Sequence, residues 1–215
     1  MKPLFIAIEG GEGSGKSTLI RTIKEALGDS VAVTREPGGS PYGELIREAA
    51  IKNPLAKDAP PETTLCLMFA SRFDHVANLV IPSLKSGKSV ITDRFDASSY
   101  AYQISSQSSL LEDLFWDLRN RLAIKPDLYV FVDVDPSEGL KRARGRNQSV
   151  GNGKQYDHFD DRDLAFHQNV RKGFLKFFDK VKATRTPSLI IDANRPLEIV
   201  IADFVTKIKK QLNIK

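Results

Sequence analysis

Residues 8–18 read IEGGEGSGKST, and Gly10, Gly15, Lys16 and Ser17 fit the spacing G-x-x-x-x-G-K-[ST]. In that pattern a glycine-rich turn aims successive backbone N–H groups at phosphate oxygens, so Gly10, Gly11, Glu12, Gly13, Ser14 and Gly15 form the predicted cradle. Lys16 would reach the outer phosphates, and the Ser17 hydroxyl would hold Mg²⁺ at the positive end of the helix that starts there, with Thr18 completing an ATP-binding set. This defines a phosphoryl donor and leaves the acceptor open.

The elements that must position this loop emerge from hydropathy. Five short β-rich runs occupy residues 4–8, 31–34, 89–93, 128–134 and 188–192, and four of them are nearly continuously apolar, as strands buried on both faces of a parallel sheet are. Apolar stripes at helical spacing run through Leu19 to Leu27, Leu110 to Leu122 and Ile199 to Leu212. Strands alternating with helices predict a three-layer α/β sandwich around a five-stranded parallel sheet, one domain over residues 1–215. In such a fold ligands collect beyond the carboxyl ends of the strands. Two segments break the pattern: a proline-bearing connection at 52–62, and a polar, glycine-bearing loop at 145–161 that reads as part of a lid spanning about 142–161.

Composition narrows the class. The net charge of +5, from 32 basic and 27 acidic residues, suits a phosphate-binding protein without excluding a weak nucleic-acid binder. The single cysteine, Cys66, excludes an internal disulfide and reads as a small buried hydrophobe. The apolar run before Glu9 is too short for a signal peptide, and no apolar stretch approaches the roughly 20 residues of a membrane span. A cytoplasmic protein with no membrane partner is expected.

Strand ends point to the acceptor. The second strand is followed by TREPGG (34–39), the third by DRFDASSYAYQ (93–103) and the fourth by DVDPSEGLKRARGR (133–146), with MFASRF (68–73) on a helix between. Asp93 would stand beside the P-loop and hold Mg²⁺ directly or through water. Arg94 would face the cleft, and Arg47, on the helix after TREPGG, is a second guanidinium for one acceptor phosphate. Phe69 and Arg72, three apart, share a helix face. Taken alone, Phe69 among Leu65, Met68 and Phe73 reads as core more readily than as a ligand platform.

These stretches, together and over nearly the whole chain, resemble bacterial thymidylate kinases. The resemblance implies transfer of the γ-phosphoryl of ATP to dTMP, with Mg²⁺, by a homodimer. It implies that Phe69 stacks on the thymine ring and that Arg72 hydrogen-bonds its exocyclic oxygen. It places Arg47 and Arg94 on the monophosphate, Glu12 towards the sugar, Ser99, Tyr102 and Gln103 around base and sugar, and Glu36 in the same dTMP-binding set. A bulky Tyr102 would leave little room for a ribose 2′-OH.

The family supplies a transition-state arginine either from the P-loop or from the lid. Glu12-Gly13-Ser14 contains none, so the lid would donate it, from Arg142 or Arg146. The chain departs from the family after the lid, where His158 stands in place of a permanent cation; either Arg146 or Lys154 would then carry that charge, or the lid would close less tightly. Asn194, Arg195 and Pro196, after the last strand, are candidates for the adenine site, while His75 and His167 read as surface residues. Two rivals stand against a dTMP kinase: another nucleoside monophosphate kinase, which the Phe69, Arg72 and Tyr102 set disfavours, and a nucleotide switch, from which the guanine-selecting N-K-x-D is missing. The basic run at 207–215 complements a helix end and carries no nucleic-acid reader motif.

Overall fold

The β-branched and apolar runs form five strands within a residue of the predicted spans: β1 Phe5–Glu9, β2 Val31–Arg35, β3 Ser89–Asp93, β4 Leu128–Asp133 and β5 Ser188–Asp192. The structure, a computed structural model, describes residues 2–104, 109–150, 162–184 and 186–212, without the side chains of 109 and 146–150. All pairings are parallel, in the order β2-β3-β1-β4-β5. The central β1 is buried along its whole length, which is why its five residues carry only one charge, Glu9.

Alternation along β1 builds the three layers. Phe5 and Ala7 face a core filled by α3 (Pro61–His75), α6 (Ser109–Asn120) and α8 (Leu164–Lys182) through Leu65, Phe115 and Phe174. Ile6 and Ile8 face the other core, closed by α1 (Lys16–Leu27) and α9 (Leu197–Gln211) through Leu19, Ile23 and Phe204. The remaining α-helices among the described residues are α2 (Pro41–Arg47), α4 (Ile81–Lys85), α5 (Asp96–Ser99) and α7 (Pro136–Val150). The proline-bearing connection folds into a short 3₁₀ turn at Pro54–Asp58.

One expectation changes. From α3 to α4 the chain is helical without a break over Pro61–Lys85, 25 residues that include an 18-residue window of mean hydropathy 1.2, long and apolar enough by length and composition to cross a membrane. The sequence reading missed this because Arg72, Asp74 and His75 interrupt the apolar run. Arg72 and His75 are buried against Glu36, a pairing that marks a core helix, since lipid offers no partner for such groups.

A second buried pair fixes the segment after β3. Arg119 Nε donates to Asp96 Oδ2 at 2.5 Å and the Tyr129 hydroxyl donates to Asp96 Oδ1 at 2.6 Å, so α5 is tied to α6 and β4 at a fully buried carboxylate. Removing one partner strands the other charge in the interior. Asp96→Ala is therefore expected to lose about 3–5 kcal/mol of stability, read from urea unfolding midpoints, whereas substitution of the exposed Asp29 should change little.

Candidate active site

The P-loop leaves β1 at Glu9 and turns through Gly10–Gly15 into α1. Two glycines here are required by geometry. A Cβ on Gly13, at φ 66°, would lie 1.9 Å from the Gly139 carbonyl oxygen, so the loop packs directly on α7; Gly15, at φ 88°, starts α1 from the left-handed region. Lys16 arches back over the loop, its Nζ donating to the carbonyls of Gly10 (2.9 Å) and Gly11 (3.0 Å). Burial lowers its pKa to about 8 and the neighbouring Arg94 adds to this, against Asp93, Glu12 and Glu9. Ser14 is buried with its hydroxyl on the Gly11 carbonyl, Thr18 is half-buried and Ser17 is exposed at the mouth.

The parallel register places Asp93 beside Ile8, and Arg94 immediately beyond, next to the cradle. Arg94 has φ 69°, a left-handed conformation uncommon for a residue with a Cβ and of the kind that concentrates at functional sites. Its backbone N–H donates to the Ile8 carbonyl at 2.9 Å, and its Nη1 donates to the Gly10 carbonyl and to Ser98 Oγ, each at 3.1 Å. The guanidinium also lies 5.2 Å from the Tyr102 ring centre.

An open cleft, about 780 Å³ counting the solvent at its mouth, lies in front of this arginine. Arg35, Arg47, Arg72 and Arg94 line it, with Glu12, Glu36 and Asp93 as the acids and Ser99, Tyr102 and Gln103 on the far wall. Arg47 is oriented by a hydrogen bond from its Nη1 to the Pro37 carbonyl (2.9 Å). Glu36 is buried and serves Arg72: Arg72 Nε donates to Glu36 Oε2 at 2.7 Å, while His75 Nδ1 bonds Glu36 Oε1 and His75 Nε2 bonds Thr34 Oγ1, both at 2.8 Å. Arg72 Nη2 donates to Ser99 Oγ at 3.0 Å. Two polar atoms on this wall, Arg72 Nη1 and Gln103 Oε1, are buried with no hydrogen-bond partner among the described residues.

Four expectations are corrected. Phe69 is 1 % exposed and absent from the cavity wall; its ring packs on Phe115 and is covered by the Arg72 guanidinium at 4.6 Å, so it supports that arginine and presents no face to the cavity. His75 is fully buried because Glu36 and Thr34 satisfy both ring nitrogens, and His167 is buried because α8 turns it into the wall shared with a second cavity beside the P-loop. Cys66 is exposed, on the outer face of α3. Arg35 and Ser98 line the main cavity without having been singled out from the sequence, though both lie inside the motifs after β2 and β3; His167 lines it too, with no local signal to show that it would.

Residues present for a metal can be judged from one atom: Asp93 Oδ1 is buried and has no partner among the described residues, as a carboxylate oxygen awaiting a cation or its water would be. With the Ser17 hydroxyl at the loop mouth, the donor set fits Mg²⁺, which takes one or two protein oxygens and completes its shell with phosphate and water.

Residues 8–204 match the family model described as thymidylate kinase. The chain belongs to the thymidylate kinase family. It is 38 % identical to the thymidylate kinase of Chlamydia felis, over 94 % of this chain and 96 % of that one, and 37 % identical to that of Leuconostoc citreum, over 99 % and 97 %. The crystal structure of thymidylate kinase from Ehrlichia chaffeensis superposes with a TM-score of 0.71 at 26 % identity, each chain covered completely.

For a thymidylate kinase the arginines of α7 are of particular interest. Arg142 Nη1 donates to the Ala193 carbonyl at 2.9 Å and its Nε to Glu138 at 3.0 Å, so its guanidinium is held at the loop after β5, away from the main cavity. Asn194 and Arg195 stiffen that loop: the Asn194 side chain bonds the Asp135 backbone and Asp192, and Arg195 pairs with Asp203. The side chain of Arg146, and residues 151–161 with Lys154 and His158, lie outside the described residues.

Glu9 is a buried carboxyl of this thymidylate kinase site that sequence reasoning passed over. Its Oε1 accepts from the Phe95 backbone N–H (2.8 Å) and its Oε2 from the Ser98 hydroxyl (2.7 Å). Burial raises its pKa to about 7; the Ser98 hydrogen bond opposes this, Asp96 adds to it, and Arg94 and Arg72 oppose it. A folded-state value above the unfolded one favours the protonated form in the native protein, a contribution to stability present below about 4.5 and lost as the pH climbs to about 7. Relative to a Glu9→Gln variant, the parent should therefore lose stability between those pH values, measured as the difference in urea midpoints; a difference that stays flat would contradict it.

Proposed function

We propose that the chain transfers the γ-phosphoryl group of ATP to the 5′-phosphate of dTMP, giving dTDP and ADP for dTTP synthesis. The observation that carries this is the junction of two sites at one place: the phosphate cradle and the arginine-lined cavity share Glu12 and meet at Arg94, whose guanidinium touches the Gly10 carbonyl of the cradle. Lys16, released from the loop carbonyls by a bound triphosphate, neutralises the outer phosphates. Arg94 and Arg47 hold the acceptor phosphate, and Glu12 lies towards the sugar. Phosphoryl transfer passes through a loose transition state, so alignment of donor and acceptor plus positive charge around the moving group is the main requirement. Mg²⁺ held by Ser17 and Asp93 would neutralise charge developing on the bridging phosphate oxygens.

The polarity of the far wall supports a thymine or uracil base. Arg72 Nη1 offers an unspent donor and Gln103 Oε1 an unspent acceptor, which complement the O4 and N3–H of such a base and clash with the amino group and bare N3 of cytosine. Ser99 and Tyr102 complete the base and sugar walls, Tyr102 standing where a 2′-OH would need room. Phe69 contributes through Arg72, as the ring on which that guanidinium rests. As part of the same reading the enzyme is a cytoplasmic homodimer acting on small molecules, with no nucleic-acid or membrane partner; the homodimer rests on the family resemblance alone. Because Arg142 is engaged at the Ala193 carbonyl, it belongs with Asn194, Arg195 and Pro196 on the donor side, which leaves Arg146 as the lid arginine for the transferred group.

The test is ADP release from MgATP with dTMP, dUMP, UMP, dGMP or no acceptor: strong stimulation by dTMP supports the reading, and acceptor-independent turnover overturns it. Arg94→Ala should lower kcat/KM for dTMP by about 10²- to 10³-fold, as loss of one preorganised donor does. Arg146→Ala should lower kcat by about 10³- to 10⁵-fold, while Arg142→Ala should chiefly raise the KM for ATP; the reverse pattern would exchange their roles.

A further inference from the structure

Arg94 is held by the residues at the end of β1. Its backbone N–H bonds the Ile8 carbonyl, its Nη1 bonds the Gly10 carbonyl, and between them Glu9 takes no hydrogen bond from Arg94 itself. Glu9 instead grips the next turn of chain: Oε1 takes the N–H of Phe95, the neighbour of Arg94, and Oε2 takes the hydroxyl of Ser98, one helical turn on. Ser98 Oγ in turn accepts from Arg94 Nη1 at 3.1 Å. The hydroxyl's single hydrogen is spent on Glu9, so its lone pairs are left facing the guanidinium.

A fully buried carboxylate is costly in the interior unless it is paired and hydrogen-bonded. Burial raises the Glu9 carboxyl to about 7, with Ser98, Arg94 and Arg72 acting in the opposite direction. A neutral amide reaches the same two groups only by reversing one of the two bonds. An ionised carboxylate accepts from both donors at once; an amide in its place accepts only from the Phe95 N–H, and its own N–H makes Ser98 Oγ an acceptor, which turns the hydroxyl hydrogen away and competes with Arg94 Nη1 for the same lone pairs. Arg94, meanwhile, sits in a left-handed conformation that persists only where its surroundings over-determine it.

We infer that Glu9 is a positioning residue for the acceptor phosphate: its carboxylate clamps the Phe95–Ser98 turn to the base of the P-loop, and so keeps the left-handed Arg94 aimed at the point where donor and acceptor phosphates meet. The clamp ties the acceptor's arginine to the same strand end that launches the donor's cradle, so the two phosphates are registered against one piece of backbone. This rests on the reading of Arg94 as a ligand of the acceptor phosphate.

The experiment is a double-mutant cycle at about pH 8, above the Glu9 value of about 7, on the full chain with MgATP and dTMP. Glu9→Gln should lower kcat/KM for dTMP by about 10- to 100-fold, the range expected from a displacement of the order of 1 Å, with the KM for ATP within about 3-fold of the parent. In an Arg94→Ala background the same change should cost less than about 2-fold, because Glu9 then has nothing left to aim. An equal loss in both backgrounds, a loss that falls on the KM for ATP, or no loss at all overturns the inference while leaving the function standing. Full dTMP turnover by Arg94→Ala alone overturns the reading of Arg94 and the inference with it. Should Glu9→Gln fail to fold, Ser98→Ala, which removes the same hydroxyl from both Glu9 and Arg94, is run through the same cycle and judged by the same outcomes.

Discussion

The site depends on the way one buried strand ends. β1 runs between β3 and β4, and its parallel register with β3 sets Ile8 against Asp93. From that pairing the chain on one side turns into the phosphate cradle, and on the other passes through Asp93 into the left-handed Arg94. The carbonyls of Ile8 and Gly10 and the carboxylate of Glu9 then engage the Arg94–Ser98 segment with ladder-like regularity. A bond at the tip of a strand thereby becomes a constraint on the distance between two phosphate sites, which loops alone would hold far less rigidly.

The concentration of charge around this junction reflects the chemistry it must accommodate. Four arginines face one cavity, and a cluster of that kind is stable without ligand only if each guanidinium has a local anchor. Arg35 is anchored by Glu44, Arg47 by the Pro37 carbonyl, Arg72 by Glu36, and Arg94 by the Gly10 carbonyl and Ser98. Glu36 illustrates the arrangement: one oxygen is taken by Arg72 and the other by His75, which is itself held by Thr34. The anchor takes the Nε–H and Ser99 takes one N–H of Nη2, so Nη1 is the guanidinium nitrogen left with no partner among the described residues. Orientation of a donor before the substrate arrives is what gives such groups their effect in a water-poor site.

Much of this was legible in the chain. The P-loop, the five strands and the apolar helix stripes are encoded by local spacing, because a strand buried on both faces must be apolar throughout and a phosphate turn must be glycine-rich. Phe69 and Arg72 illustrate the boundary. Their spacing of three predicted a shared face, and they do share one; yet the guanidinium lies over the ring, so Arg72 reaches the cavity and Phe69 joins Phe115 in the core. His75 and His167 looked like surface residues because the partners that bury them, Glu36 and the P-loop flank, are distant in sequence. Arg142 and Arg146 could not be told apart by helical spacing, since the contact that engages Arg142 comes from the loop after β5.

The amino-acid sequence by itself determined the class of fold, the phosphate cradle and the family, since each rests on residues close together in the chain or on motifs read in order. Which side chain of each motif meets the cavity was decided only by tertiary structure. The reason is that burial and hydrogen bonding are settled by neighbours brought in from other strands: Glu9 became a clamp when β3 delivered Phe95 and Ser98 to it, and Arg94 took up a left-handed backbone because β1 supplied acceptors on either side.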